Sequence, residues 1–231
     1  MIKLFFHPTP NPFKIALYLE ETGTPYEVIP VDTRKGEQHT EAYKKINPNS
    51  KTPSIQDGDI TVFDSTAILL YLSEKVGQFL PPDTPKDRSE MLQWLMFIAT
   101  GIGPYCGQSV HFKHFAPEPK EYAVNRYDFE AWRHWNIIEE RLGKHRYMLG
   151  DTYGIVDMAL WPWARMVPRF LNEDAFKSLP NVKRFLDEVS ERPAAKRALE
   201  LQTKHEFKTT LDDEARKAMF PSNERLKKSE G

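Results

Sequence analysis

The stretch HPTPNPFKI, residues 7–15, brings a hydroxyl (Thr9) and a carboxamide (Asn11) to the start of an apolar-periodic run. A helix beginning there presents unpaired N–H groups and a partial positive charge, which together favour an anion. A thiolate is one such anion. The chain has one cysteine, Cys106, and therefore no CxxC pair. The sulfur must then arrive with a ligand, and the work of the site is to hold that thiol's pKa below its free value of ~8.5. Read locally, a plain capping role for Thr9 and Asn11 is the simpler alternative. In NSKTPSI, residues 49–55, Pro53 stands just before a hairpin strand and is a candidate cis-proline, with an ordinary trans turn proline as the alternative. In FDSTAI, residues 63–68, Asp64 and Ser65 stand at a helix start, where an N-cap is the default role. The same helix end with the Ser65 hydroxyl can hold a ligand carboxylate, and Asp64 can meet an ammonium group. A peptide with a γ-linked glutamyl end, a central cysteine and an extended backbone would engage the three stretches in order.

The elements that must position these residues follow from the pattern. Residues 2–6 read as a strand, and a helix follows with Asn11 at the N-cap, Pro12 at N1 and Gly23 as its stop. Residues 25–31 read as a second strand and 40–46 as a short helix. Asp57-Gly58-Asp59 turns a hairpin between 54–56 and 60–63, and a capped helix spans 65–76. The order β-α-β-α-β-β-α is that of a thioredoxin-like domain with a four-stranded mixed sheet. There, a cis bond at Pro53 would turn the Thr52 backbone outward to pair with an extended peptide. A proline- and aspartate-rich linker at 80–87 follows, and then helices only: 88–100, 121–142, 154–167 and 182–190, with Pro193 closing the last. The expected organisation is a thioredoxin-like domain over 1–80, an all-α domain over 88–203, and a charged tail over 204–231, draped on the surface or partly disordered.

Composition narrows the function classes. Thirty-two basic residues balance thirty-three acidic ones, so no overall charge draws the chain to nucleic acid, an anionic membrane or an acidic partner. The lone cysteine excludes an intrachain disulfide framework and fits a reduced, cytoplasmic setting. The N-terminal apolar run is too short for a signal peptide and the longest apolar segment, 67–72, too short to span a membrane. His111 and His114 lie three apart without an HExxH-type frame, so no metal site is expected. Cys106 reads as an inert buried thiol, and Trp161-Pro162-Trp163 as core around a helix kink.

With PTPNPFKI, NPNSKTPSI and FDSTAILLYLSEK in place, and with LQWLMFIATGIGPYCGQSVHFKHFAPE, YAVNRYDFEAWRHWNIIEERL and YGIVDMALWPWARM beyond them, the chain resembles the cytosolic glutathione S-transferases. It looks most like the nu class, the glutathione-dependent disulfide-bond reductases, over residues 1 to about 200. The resemblance implies Thr9 and Asn11 facing the glutathione sulfur and Thr52 with Pro53 on the cysteinyl backbone. It implies Asp64 and Ser65 at the γ-glutamyl end, Gln38 and Lys51 near the glycyl end, and Arg126 reaching in from the α-domain. A second-substrate pocket would use Tyr105, His111, Phe112 and Phe115. Glutathione would be the cosubstrate, glutathione disulfide or a small disulfide or electrophile the partner, and a homodimer the assembly. A glutathione-binding regulator with little turnover and a glutathione-dependent organic hydroperoxide peroxidase are the alternatives. Three positions depart from the pattern: Pro12 where glycine is usual, Asp64 where glutamate is common, and Gly154 where a capping-box hydroxyl residue stands.

Overall fold

The computed structural model describes residues 1–223. Strands β1 (Ile2–Phe6), β2 (Tyr26–Pro30), β3 (Ser54–Asp57) and β4 (Ile60–Phe63) form one sheet in the order β2-β1-β3-β4. Strand β1 pairs in parallel with β2 (Leu4 opposite Val28) and antiparallel with β3 (Leu4 opposite Ile55). The period-2 rule divides β1 between two cores. Leu4 and Phe6 join the main core, while Phe5 packs with Val31 and Tyr43 on the other face.

Helix α1 (Pro10–Thr22) starts before the N-cap expected at Asn11: the capping position is Thr9, whose side chain makes no cap bond. Both prolines fit this start, because Pro10 and Pro12 lie in the first turn, where N–H groups have no partner inside the helix. The helix ends at Gly23, with φ +64°. Helix α2 (Glu41–Lys44) covers the outer face, and α3 (Ser65–Val76) is capped by the Asp64 carboxylate, which accepts from Thr66 and Ala67 N–H at 2.9 and 3.1 Å. Asp64 sits at φ +72°, a region costly for a residue with a Cβ.

The second layer is helical: α4 (Pro85–Phe97), α5 (Gly103–His114), α6 (Glu121–Lys144), α7 (Ile155–Ala164), α8 (Val167–Phe170), α9 (Ala175–Ser178), α10 (Pro180–Ser190), α11 (Pro193–Lys204) and α12 (Asp213–Met219). Two differences from the sequence expectation share one cause. Proline and glycine read as breakers, yet here they open helices. Pro85, Pro180 and Pro193 are first helical residues, so Pro193 begins α11 where it was expected to close a helix. In ATGIGPY a wide helical turn (Ile98–Ile102) joins α4 to α5, a helix absent from the sequence expectation. Gly101 is required there, since a Cβ would lie 2.5 Å from the His134 ring.

Helix α7 is buried along its whole length. Asp157 accepts from Met148 N–H at 2.8 Å and Gly154 N–H at 2.9 Å, and burial pushes its carboxyl up to about 7. Gly154 has no side chain to return the cap. Its role is steric, because a Cβ would approach the Phe79 carbonyl oxygen to 3.0 Å. Residues 205–223 run back across the junction of the two domains. Lys208 N–H donates to Asp32 at 2.7 Å, Arg34 donates to the Lys208 carbonyl at 2.9 Å, and Phe207 packs edge-on against His7. The remaining tail positions lie outside the described residues. No helix among the described residues is long and apolar enough to cross a membrane.

Candidate active site

Two cavities flank the start of α1. One, of about 710 Å³, is lined by Asn11, Lys14, Lys51, Asp64, Ser65 and His111 among others. The other, of about 1020 Å³, is lined by Thr9, Arg34, Phe115, Arg169, His205 and Phe207 among others. Gly107, Trp163 and Met219 line both, so the Thr9–Asn11 turn is a ridge between them.

The ridge is held from the helical layer. Trp163 Nε1 donates to Asn11 Oδ1 at 3.2 Å. An indole N–H can only donate, so the atom it meets is the carboxamide oxygen, and Asn11 Nδ2 keeps its hydrogens for the cavity. Thr9 is exposed, and its hydroxyl is committed to no cap bond. Pro10 and Pro12 each lack an N–H, so within the first three helical positions the Asn11 N–H is the one backbone donor beside the two side chains. His7 lies just before the ridge. Burial pushes its imidazole down to about 4, and Nδ1 accepts from Thr33 N–H at 3.4 Å.

The loop before β3 is fixed from below. Tyr43 OH and Asn47 Nδ2 donate to the Lys51 carbonyl at 2.8 and 2.6 Å, and the Thr52–Pro53 bond that follows is cis. Lys51 itself lines the first cavity together with Asp64 and Ser65. Beneath them lies a residue the sequence patterns did not single out. Lys14 is 1% exposed and donates to Ser65 Oγ at 3.2 Å. Burial pushes its ammonium down to about 8, with Asp64 opposing that shift. Its spacing of three from Asn11 puts it on the same helix face, the one signal that pointed to it.

Other expected site residues take different positions. The Gln38 amide is 4% exposed and donates to the carbonyls of Thr33 and Ala218, both at 3.3 Å, so α12 covers the side chain expected near a glycyl end. Arg126 lies outside both cavities and pairs with Glu130 at 2.8 Å. Tyr105 packs on His134 and Tyr127, and Phe112 stacks on Tyr127, so both face α6. His111 and Phe115 do face the cavities, and Phe220 closes over both rings at 4.7 and 5.3 Å. His114 turns to the Arg169 carbonyl at 3.0 Å, away from His111. Cys106 is fully buried, accepts from Trp135 Nε1 at 3.3 Å, and has its thiol pushed up to about 12.

A thioredoxin-like layer, a cis bond before β3 and a helix-start cavity between two layers frame a comparison with known proteins. Residues 1–74 match the family described as Glutathione S-transferase, N-terminal domain, and residues 94–193 match Glutathione S-transferase, C-terminal domain. The chain belongs to the glutathione S-transferase family. Among its relatives is the disulfide-bond oxidoreductase YfcG of Escherichia coli, 40% identical over 206 residues, with 86% of this chain and 94% of that one covered. The oxidoreductase YghU of the same organism is 39% identical over 215 residues, covering 85% and 73%. A solved transferase family member from Pseudomonas fluorescens with two glutathione bound has a TM-score of 0.81 at 37% identity, covering 86% and 92%. One from Pseudomonas putida with one glutathione disulfide per subunit has a TM-score of 0.81 at 34% identity, covering 87% and 91%. Cavities on both sides of the ridge give this transferase room for a ligand group on each side.

Proposed function

We propose that this transferase is a glutathione-dependent disulfide-bond reductase of the nu-class type. The observation that carries the reading is the Trp163-to-Asn11 hydrogen bond, which takes up the carboxamide oxygen and leaves its N–H groups as free donors on the ridge that also carries the uncommitted Thr9 hydroxyl. These donors at a helix start would stabilise the glutathione thiolate as oriented, low-reorganisation electrostatics. Asp64 and Ser65 would hold the γ-glutamyl end, the Thr52–Pro53 backbone the cysteinyl unit, and Lys51 the glycyl end. Names of relatives and the glutathione or glutathione disulfide in solved relatives support the substrate class.

The thiolate attacks one sulfur of the substrate disulfide; a new S–S bond forms as the old one breaks, and the departing thiolate takes a proton from water. A second glutathione thiolate attacks the glutathione sulfur of that mixed disulfide and releases the second substrate thiol, with glutathione disulfide as the oxidised product. The buried, high-pKa Cys106 is unsuited to this exchange. A homodimer belongs to the same reading, with exposed Ile60 and Phe63 on β4 and Met96 on α4 as apolar side chains a second copy would cover. Reduction of a small model disulfide by glutathione tests the mechanism. It should survive Cys106→Ala and fall about 10-fold or more in Thr9→Ala; loss of activity in the cysteine variant sinks it.

A further inference from the structure

Helix α1 is buried from Pro12 to Leu19, and Lys14 interrupts that run with a charge. A lysine ammonium has three donors. Here one goes to Ser65 Oγ, and among the described residues Lys14 forms no ion pair within 4.0 Å. The acid that acts on it, Asp64, is engaged through Oδ1 in capping α3. Next to Ser65, the Thr66 hydroxyl is also buried without a partner, and Thr66 lines the same cavity. A methionine of similar length would fill the place of Lys14 without desolvating a charge. Two polar groups left short beneath one cavity fit a ligand group that is anionic and accepts hydrogen bonds there.

We propose that Lys14 is the counter-charge and positioning residue of the γ-glutamyl subsite: its ammonium orients the Ser65 hydroxyl and faces the α-carboxylate of the bound peptide. The proposal rests on the glutathione reading above. A carboxylate brought beside Lys14 favours its charged form, so binding just above pH 8 draws a proton onto it. Asp64 at the start of α3 acts in the same direction. Lys51, from the loop before β3, lines the same cavity, and His111 on α5, whose pKa burial lowers, is neutral in that range.

The probe is S-methylglutathione, whose sulfur neither reacts nor titrates. Its counterpart carries 4-aminobutyryl in place of the γ-glutamyl unit, keeping the ammonium and losing the carboxylate. Calorimetry on the wild type should show about a 10- to 100-fold preference for the full ligand. In Lys14→Met the preference should shrink to a few-fold, with Ser65 and the α3 N–H groups still present, and the proton uptake measured in two buffers at about pH 8.5 should fall relative to wild type. Equal weakening of both ligands, or an unchanged preference in the folded variant, overturns the proposal by reducing Lys14 to a structural role. Should Lys14→Met not fold, Lys14→Gln carries the comparison under the same criterion. Failure of the wild type to bind S-methylglutathione overturns the glutathione reading itself, a result distinct from failure of the Lys14 assignment.

Discussion

Replacing Trp163 by phenylalanine separates the orientation of the Asn11 carboxamide from its presence. An aromatic ring is kept at a position that walls both cavities, and one indole N–H at 3.2 Å from Asn11 Oδ1 is lost. A neutral hydrogen bond contributes about 0.5–1.5 kcal/mol net, so kcat/KM should fall about 2- to 10-fold as the carboxamide samples its flipped orientation. Asn11→Ala removes the donor itself. Hydrogen bonds to a charged group contribute about 1.5–3 kcal/mol, equivalent to about 10- to 150-fold, or a rise of about 1–2 units in the pKa of the bound thiol. The assay is titration of enzyme-bound glutathione by thiolate ultraviolet absorbance, paired with kcat/KM on a small model disulfide. The expected order of bound-thiol pKa is wild type lowest, Trp163→Phe intermediate and Asn11→Ala highest. A Trp163→Phe enzyme that matches wild type on both measures, or is more impaired than Asn11→Ala, refutes the reasoning.

Cys106→Ala should leave turnover intact while lowering stability by about 1–3 kcal/mol in thermal or urea unfolding, because Trp135 Nε1 loses its acceptor and a small void opens. Lys14 has a folded-state pKa of about 8 against 10.5 in the unfolded chain. The unfolded state therefore binds the proton more tightly, and stability contributed by this group rises with pH from about 8 to 10.5, by about 3 kcal/mol; the difference between wild type and Lys14→Met in urea midpoints at the two ends of that window checks the sign. Gly154→Ser should destabilise by about 1–3 kcal/mol despite offering the α7 capping hydroxyl, since its Cβ meets the Phe79 carbonyl at 3.0 Å; a gain in melting temperature would contradict the steric account.

The strand and helix order of the first layer was legible because alternation in β1, the Asp-Gly-Asp turn and the αL glycines at 23 and 77 are local signals. The helical layer was read less well for a physical reason. GIGP looks like a break, but a wide turn carries the chain through it, because Gly101 admits the His134 ring and Pro104 falls in the first turn of α5. Without α5, its two faces could not be separated. Thus Tyr105 and Phe112, which face α6, were grouped with His111 and Phe115, which face the cavities. Asn11, Lys51, Asp64 and Ser65 line one cavity and Thr9 the other, since each stands at a helix start or in the loop before β3; local pattern offered all of them but Lys51, beside a plain capping role, and the family resemblance alone brought in Lys51. Lys14 and Trp163 were hidden inside buried runs that pattern reads as core. Gln38 has a partner, Ala218, that only tertiary structure selects, whereas Arg126 pairs with Glu130 one turn along α6, a spacing of four that the sequence itself carries.

The returning segment at 205–223 gives the cavities a place in time as well as in space. Arg34 reaches the Lys208 carbonyl across 174 positions of sequence, and Gln38 reaches Ala218 across 180. Core pairings such as α1 with α11 span similar separations, so the delay comes from order: the segment leads on from α11 and docks on a surface that both layers must first build. On refolding from denaturant, fluorescence from Trp135 and Trp161 in the helical core should therefore recover ahead of S-methylglutathione affinity. Simultaneous recovery of the two signals would show that the returning segment docks together with the core.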